Sequence, residues 1–383
     1  MTRRFLQLAC LFALLPAPIA RAAAPPPLDG DRFAFPGTVA APTSAISVGL
    51  ALADRWLGHD PGDNPALVPW RGVLVAPQAL RVSRQDLSAG NREFTQRLAY
   101  VDLASASLVF PVRGLLIALY AGQPALRLEN TKYLVGRNNS VGATGSVAND
   151  GSTRELRSGL AASLGRGGWR FGAGVELTHR SDRYQTSEVS GSPESGTRDL
   201  QFSGSALGAV LGAHWERRAA ERGGLELGAV VRATGALDIT GTDVSHLLIG
   251  DDTQNVKASR DAIQEFGASA RYTISPESHA FLSASARGGE KWPAFSLAGG
   301  TGSTWSAGID YRDPESPLGV RAGLGQESAP DTAEPRAGMV GAGFTWHSGD
   351  TDYDLGILHR TLRRQGAPNS SDDRLIGAVR VTF

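Results

Sequence analysis

From about residue 155 onward the chain repeats one rhythm: a stretch that alternates apolar with polar or small residues, then a break. Trp169, Phe171, Ala173, Val175 and Leu177 interleave with Arg170, Gly172, Gly174, Glu176 and Thr178. A period of two places alternate side chains on opposite faces of a β-strand, so one face of this stretch is greasy and the other polar. The pattern recurs over 225–234, 265–274, 305–312 and 318–325. It predicts fourteen strands: 71–83, 98–110, 115–126, 155–165, 169–179, 201–215, 225–235, 263–274, 279–287, 304–312, 318–326, 337–346, 352–362 and 374–383. The first three alternate poorly, and Leu115 to Leu119 is apolar on both faces, which leaves twelve as the alternative count.

A soluble β-sandwich alternates too, so the breaks decide. Short ones at 111–114, 166–168, 275–278, 313–317 and 347–351 alternate with long ones at 127–154, 180–200, 236–262, 288–303 and 363–373. Short periplasmic turns and long outer loops belong to transmembrane barrels, and an even strand number returns both barrel termini to the periplasm. On this topology Phe110, Trp169, Trp215, Tyr272, Tyr311, Trp346, Tyr353 and Phe383 all fall at periplasmic strand ends, where they would form an interfacial girdle. The fold class is therefore all-β, a transmembrane antiparallel barrel over 71–383.

Both ends of the chain agree with that class. Arg3 and Arg4 lead an apolar run from Phe5 to Ala20, and Ala20-Arg21-Ala22 offers small residues for cleavage, so 1–22 reads as a signal peptide. The expected location is the Gram-negative outer membrane. At the other end Gly377, Val379, Val381 and Phe383 share the outward phase, and this terminal pattern resembles the β-signal read by the barrel-assembly machinery. That machinery and outer-membrane lipid are the expected partners.

Composition narrows the chemistry. Cys10, the only cysteine, lies in the signal, so the mature chain has no disulfide framework or thiolate metal site. Removing Arg3, Arg4 and Arg21 leaves 35 basic against 38 acidic residues, with no basic stripe for nucleic acid. The seven histidines form no ligand-spaced pair, and no nucleophile elbow or Ser-His-acid set stands out. No cofactor, metal or enzymatic activity is expected; the acidic run at Asp251 and Asp252 reads as a solvated loop. The inward phase carries ten arginines and six acids, among them Arg170, Glu226, Arg232, Glu265, Arg271, Arg312, Asp352 and Arg380. Such charges either line a water-filled pore or fill the barrel with ion pairs.

The segment 23–70 is not strand-like. Pro25 to Pro27 opens a linker, and Ile46, Leu50, Ala53 and Leu57 share one helical face that Gly58 would stop. The run from Ala45 to Val68, with Gly49, Ala51 and Ala53 leading to Asn64-Pro65-Ala66 just before the first strand, resembles the N-terminal hatch of the FadL-type hydrophobe transporter superfamily. Leu67 stands where that family commonly has glycine. The resemblance implies fourteen strands, a luminal hatch containing Asn64, Pro65 and Ala66, and passage of a hydrophobic small molecule to the periplasm. Two alternatives stand beside it: a porin-like diffusion channel for small polar or anionic solutes, which the Arg-biased inward phase suggests, and a PorV-like structural or docking barrel of an export system.

Overall fold

The computed structural model describes residues 44–67, 71–85, 95–135, 145–189, 196–217, 223–247, 250–288, 301–313, 315–328, 336–363 and 370–383. The expected signal peptide over 1–22, the expected linker at Pro25 to Pro27 and Val68 to Trp70 lie outside them. After a short helix α1 (Ala45–Gly49) the chain makes β1 (Gly72–Gln85), β2 (Thr95–Val112), β3 (Leu115–Val135), β4 (Gly145–Arg166), β5 (Trp169–Val189) and β6 (Gly196–Arg217). There follow β7 (Leu225–Thr234), β8 (Leu237–Leu247), β9 (Gly250–Arg260), β10 (Ile263–Thr273) and β11 (Ser278–Gly288). The last five are β12 (Thr301–Arg312), β13 (Leu318–Ser328), β14 (Arg336–Ser348), β15 (Thr351–Arg363) and β16 (Ser370–Thr382).

All ladders are antiparallel, and β1 pairs with β16 to close the sheet into a barrel. Fourteen strands form the wall. The other two, β8 and β9, are a hairpin that prolongs β7 and β10: Thr234↔Ile263 and Leu237↔Arg260 belong to one continuous register across the break. Against β6 the register slips by one residue at the same level, because Gly208 pairs Thr234 but Ser205 pairs Asp238. That slip is a bulge, and it bends the wall.

The membrane zone follows the alternation closely. Val175, Leu177, Val231, Phe266, Ile309, Val320, Leu324 and Ile357 are exposed on the outside, while their neighbours Glu176, Arg232, Glu265 and Arg321 are buried inside. An exposed apolar band on a closed barrel is the signature of a lipid-facing wall. Trp169, Tyr272, Tyr311, Trp346, Tyr353 and Phe383 are exposed at the end with the tight turns. Trp169 lies 6.1 Å from Trp215 across β5 and β6. The turns there need positive φ, as at Arg113 and Gly114 or Gly167 and Gly168, which suits two-residue hairpin connections.

Two expectations are corrected. The long breaks are in large part strand: β3 and β4 run on to Val135 and from Gly145, β5 and β6 to Val189 and from Gly196, and 236–262 is mostly the β8–β9 hairpin. Beyond the bilayer both faces of a strand meet polar surroundings, so the apolar alternation that marks the membrane zone is lost although the ladder continues. The helix through Leu57 is also shorter than expected. It ends at Gly49, and Ala51 and Leu52 adopt left-handed φ of 49° and 74°. Ile46, Leu50, Ala53 and Leu57 still share one cluster, packed on Phe281 of β11, but a bent path around the inner wall brings them together.

Candidate functional site

Residues 44–67 lie inside the barrel, seated on wall positions that lack side chains. A Cβ at Gly356 would meet the Ala45 carbonyl, one at Gly341 the Val48 carbonyl, and one at Gly323 the Leu50 carbonyl, each within 2.3 Å. Further round, Cβ atoms at Gly228 and Gly212 would stand 1.9 Å from the Trp56 carbonyl and from Asn64 Oδ1. Only glycine admits this approach. The hatch thus runs from β15 to β5 along a track of inward glycines, which the sequence displays as the polar-phase glycines of successive strands.

Asn64 pins the turn that ends this path. Its Nδ2 donates to the Trp56 carbonyl (2.6 Å) and to the Ala213 carbonyl of β6 (3.4 Å), and its Oδ1 accepts the Ala66 N–H at 2.9 Å. Pro65 packs over Gly172, and Ala66 and Leu67 are fully buried. Leu67 joins Val109, Ala118, Tyr120 and Ala161 of β2, β3 and β4.

Ion pairs tie the hatch to the wall and fill the lumen beside it. Arg55 bonds Asp63 (2.9 Å) and lies 3.7 Å from Glu265, and its guanidinium sits 4.3 Å over the Trp56 ring. Arg232 bonds Glu176 and Glu265, each at 3.0 Å, and donates to the Gly62 carbonyl at 2.6 Å. Tyr120 donates to Glu176 at 2.7 Å. Nearer the turns Arg271 bonds Glu226 (2.7 Å) and Asp352 meets His347 at 2.5 Å; Arg170 and Arg380 are half-buried on the inward phase and Arg312 is exposed at the rim. Among the described residues no cluster of His, Cys, Asp and Glu is arranged to hold a metal. Asp251 and Asp252 lie exposed on β9.

Among the described residues the wall is parted between β2 and β3. The β2–β3 ladder runs from Val112↔Leu115 to Ser105↔Gly122, and among the described residues no pair joins the two strands beyond it. From there β2 continues against β1 and β3 against β4, each after a register slip, at Ala76/Pro77 and at Gly122/Ala125. The prolines explain the seam. Pro77 and Pro124 carry no backbone N–H, and a proline within a sheet belongs at an edge or a bulge. The Gln123-Pro124 bulge turns β3 away from β2. Side chains cross where the backbone does not: Gln123 bonds Asp102 of β2 and Gln78 of β1.

On the membrane side, over the last paired rungs of that ladder, the wall is hollowed by about 660 Å³. Val73, Val75, Leu108, Leu119, Val175 and Leu207 line this hollow. On the luminal side Leu74, Ala76, Ala104, Leu358 and Ile376 form one apolar cluster with Ala45, Val48 and Leu52 of the hatch. Oily surface therefore flanks the seam on both sides and leads inward to the hatch. The residues of the seam were not singled out in the sequence; a proline inside each of two predicted strands was the available signal.

No protein-family model matches the chain, and no curated protein matches it in sequence. Solved structures do match in shape. The TodX monoaromatic hydrocarbon channel, in a deltaS2S3 mutant form, superposes with a TM-score of 0.66 at 13% identity, covering 89% of this chain and 99% of that one. A Pseudomonas aeruginosa FadL homologue gives 0.61 at 13% identity over 91% and 99%. The Ralstonia pickettii toluene transporter TbuX gives 0.58 at 12% identity over 92% and 100%. The chain has the fold of the FadL-type outer-membrane hydrocarbon channels.

Proposed function

We propose that the protein is an outer-membrane channel that takes hydrophobic small molecules sideways from the membrane, through the seam between β2 and β3, and passes them along the hatch to the periplasm. The interrupted β2–β3 ladder carries this reading. A closed antiparallel wall ordinarily pairs each strand along its shared length, and an unpaired stretch in hydrocarbon costs several kcal/mol for each exposed polar group. A seam of that kind, with an apolar hollow outside it and an apolar cluster inside it, offers an oily solute a path that avoids water. The fold shared with hydrocarbon channels supports the same reading, and the hydrophobe is bound and released without chemical change. The charged inner wall gives little support to free diffusion of ions, since Arg232, Glu176 and Glu265 are paired and buried.

The test is uptake of labelled p-xylene by Gram-negative cells that make the protein, alongside conductance of the purified barrel in a planar bilayer. Uptake should rise several-fold over cells lacking it, with no steady ohmic conductance. Unchanged uptake together with an open ohmic pore would replace this reading with a porin-like one.

A further inference from the structure

The side chains that bridge the seam have orientations that can be worked out from one residue. Asp102 accepts the N–H of Leu103 on Oδ1 at 2.8 Å, and its other oxygen, Oδ2, faces Gln123 at 3.0 Å. An ionised carboxylate can only accept hydrogen bonds, whereas a carboxamide has one end that donates and one that accepts. Gln123 must therefore turn its NH2 to Asp102 and its oxygen to Gln78. Gln78 must in turn donate its own NH2 to that oxygen, which it does at 2.5 Å. The chain of bonds ends there. Gln78 Oε1 points away from it and carries no hydrogen bond, although the side chain is only 2% exposed.

One flank of Gln78 is apolar, while on the other it is in register with Asp102 of β2. Gln78 is in register with Ile376 on β16, and Leu74, Ala76, Ala104, Leu358 and Ala378 belong to the cluster beside it. A buried acceptor left without a donor is costly, and a ligand that brings one recovers that cost on binding. A pure hydrocarbon brings none. Resting on the sideways-passage reading above, we infer that the solutes preferred at this seam are hydrophobes bearing a single hydroxyl or other hydrogen-bond donor, such as phenols and alcohols. Gln78 Oε1 receives that donor, and the Gln123–Asp102 bond closes the seam around it. A site that hydrogen-bonds a substrate hydroxyl discriminates strongly against the analogue lacking it, because the site's own polar group is then left unpaired.

The probes are p-cresol and p-xylene, which are close in size and differ in the hydroxyl. In cells carrying the full-length protein, Gln78→Met should lower the ratio of p-cresol to p-xylene uptake by about tenfold, the loss of roughly one hydrogen bond. Uptake of p-xylene should persist and reports that the variant assembled. In a Cys10→Ser background, Asp102→Cys with Gln123→Cys, tied by a short bismaleimide, should stop uptake of both. An unchanged ratio in Gln78→Met, or an equal fall of both solutes, overturns the donor inference while a blocking tether leaves the sideways route standing. A tether that leaves both rates unchanged overturns the route itself.

Discussion

Asn64 holds three polar groups at once: the Trp56 carbonyl, the Ala213 carbonyl and the Ala66 N–H. Replacing it by alanine leaves buried backbone groups unpaired, at roughly 1–3 kcal/mol apiece. Asn64→Ala should therefore raise hydrogen exchange across 44–67 by about tenfold or more while exchange in the barrel strands stays unchanged. Titration acts on the same segment. Burial pushes the Asp54 carboxyl up to about 6, and burial with the nearby Asp63 raises Asp60 as well. Docking thus favours their protonated forms, and it weakens as pH climbs from the ordinary carboxylate range near 4 through those raised values. His59 acts the other way, because burial lowers it to about 3 and docking it uncharged becomes costly as pH falls below about 6.5. Between about pH 4.5 and 6 two carboxyls outweigh one imidazole. Protection of hatch amides, corrected for intrinsic exchange, should fall with rising pH in that window, and Asp54→Asn with Asp60→Asn should reverse the slope. At this scale Asn64, Pro65 and Ala66 were legible as a motif. Gln78, Gln123 and Asp102 were not, because nothing in their spacing says that the ladder beside them fails.

The strands were legible where lipid lies on one side and the packed lumen on the other, because only there do the two faces of a strand differ in polarity. Leu177 with Glu176, or Val231 with Arg232, shows this directly. Above the membrane that contrast is gone, so β8 and β9 read as loop. The first three strands, whose alternation is poor, carry the bulges at Ala104, opposite Pro77, and at Gln123-Pro124, and they hold the seam. The glycine track is the complementary feature, since it leaves the wall intact and makes room for the hatch. Gly212→Val or Gly228→Val would drive a side chain into Asn64 or the Trp56 carbonyl. Either variant should still assemble as a heat-modifiable barrel yet conduct ions in planar bilayers, because the hatch no longer fits. Silent bilayers from a folded variant would mean that the hatch is not what closes the lumen.

At the scale of the molecule, β16 meets β1 along Gly72↔Thr382 to Arg84↔Ser370, and Phe383 donates its N–H to the Arg71 carbonyl at 3.1 Å with its ring exposed at the rim. Val379 and Val381 face outward on the same strand, and Gly377 lies beside Pro77 of β1. The terminal residue therefore sits at the closure of the barrel, and deleting Phe383 should lower the outer-membrane yield, read by surface labelling and heat-modifiability. The proposed sideways entry of the solute rests on the interrupted β2–β3 ladder of this wall. The most direct measurement is p-xylene uptake after the hollow outside the seam is filled. Ala106 lines that hollow on β2, whereas Ala284 lies on the membrane face of β11, away from the seam. Ala106→Trp should cut the uptake rate by about tenfold and Ala284→Trp should leave it unchanged; equal rates in the two variants would contradict sideways passage and return the route to the outer mouth of the barrel.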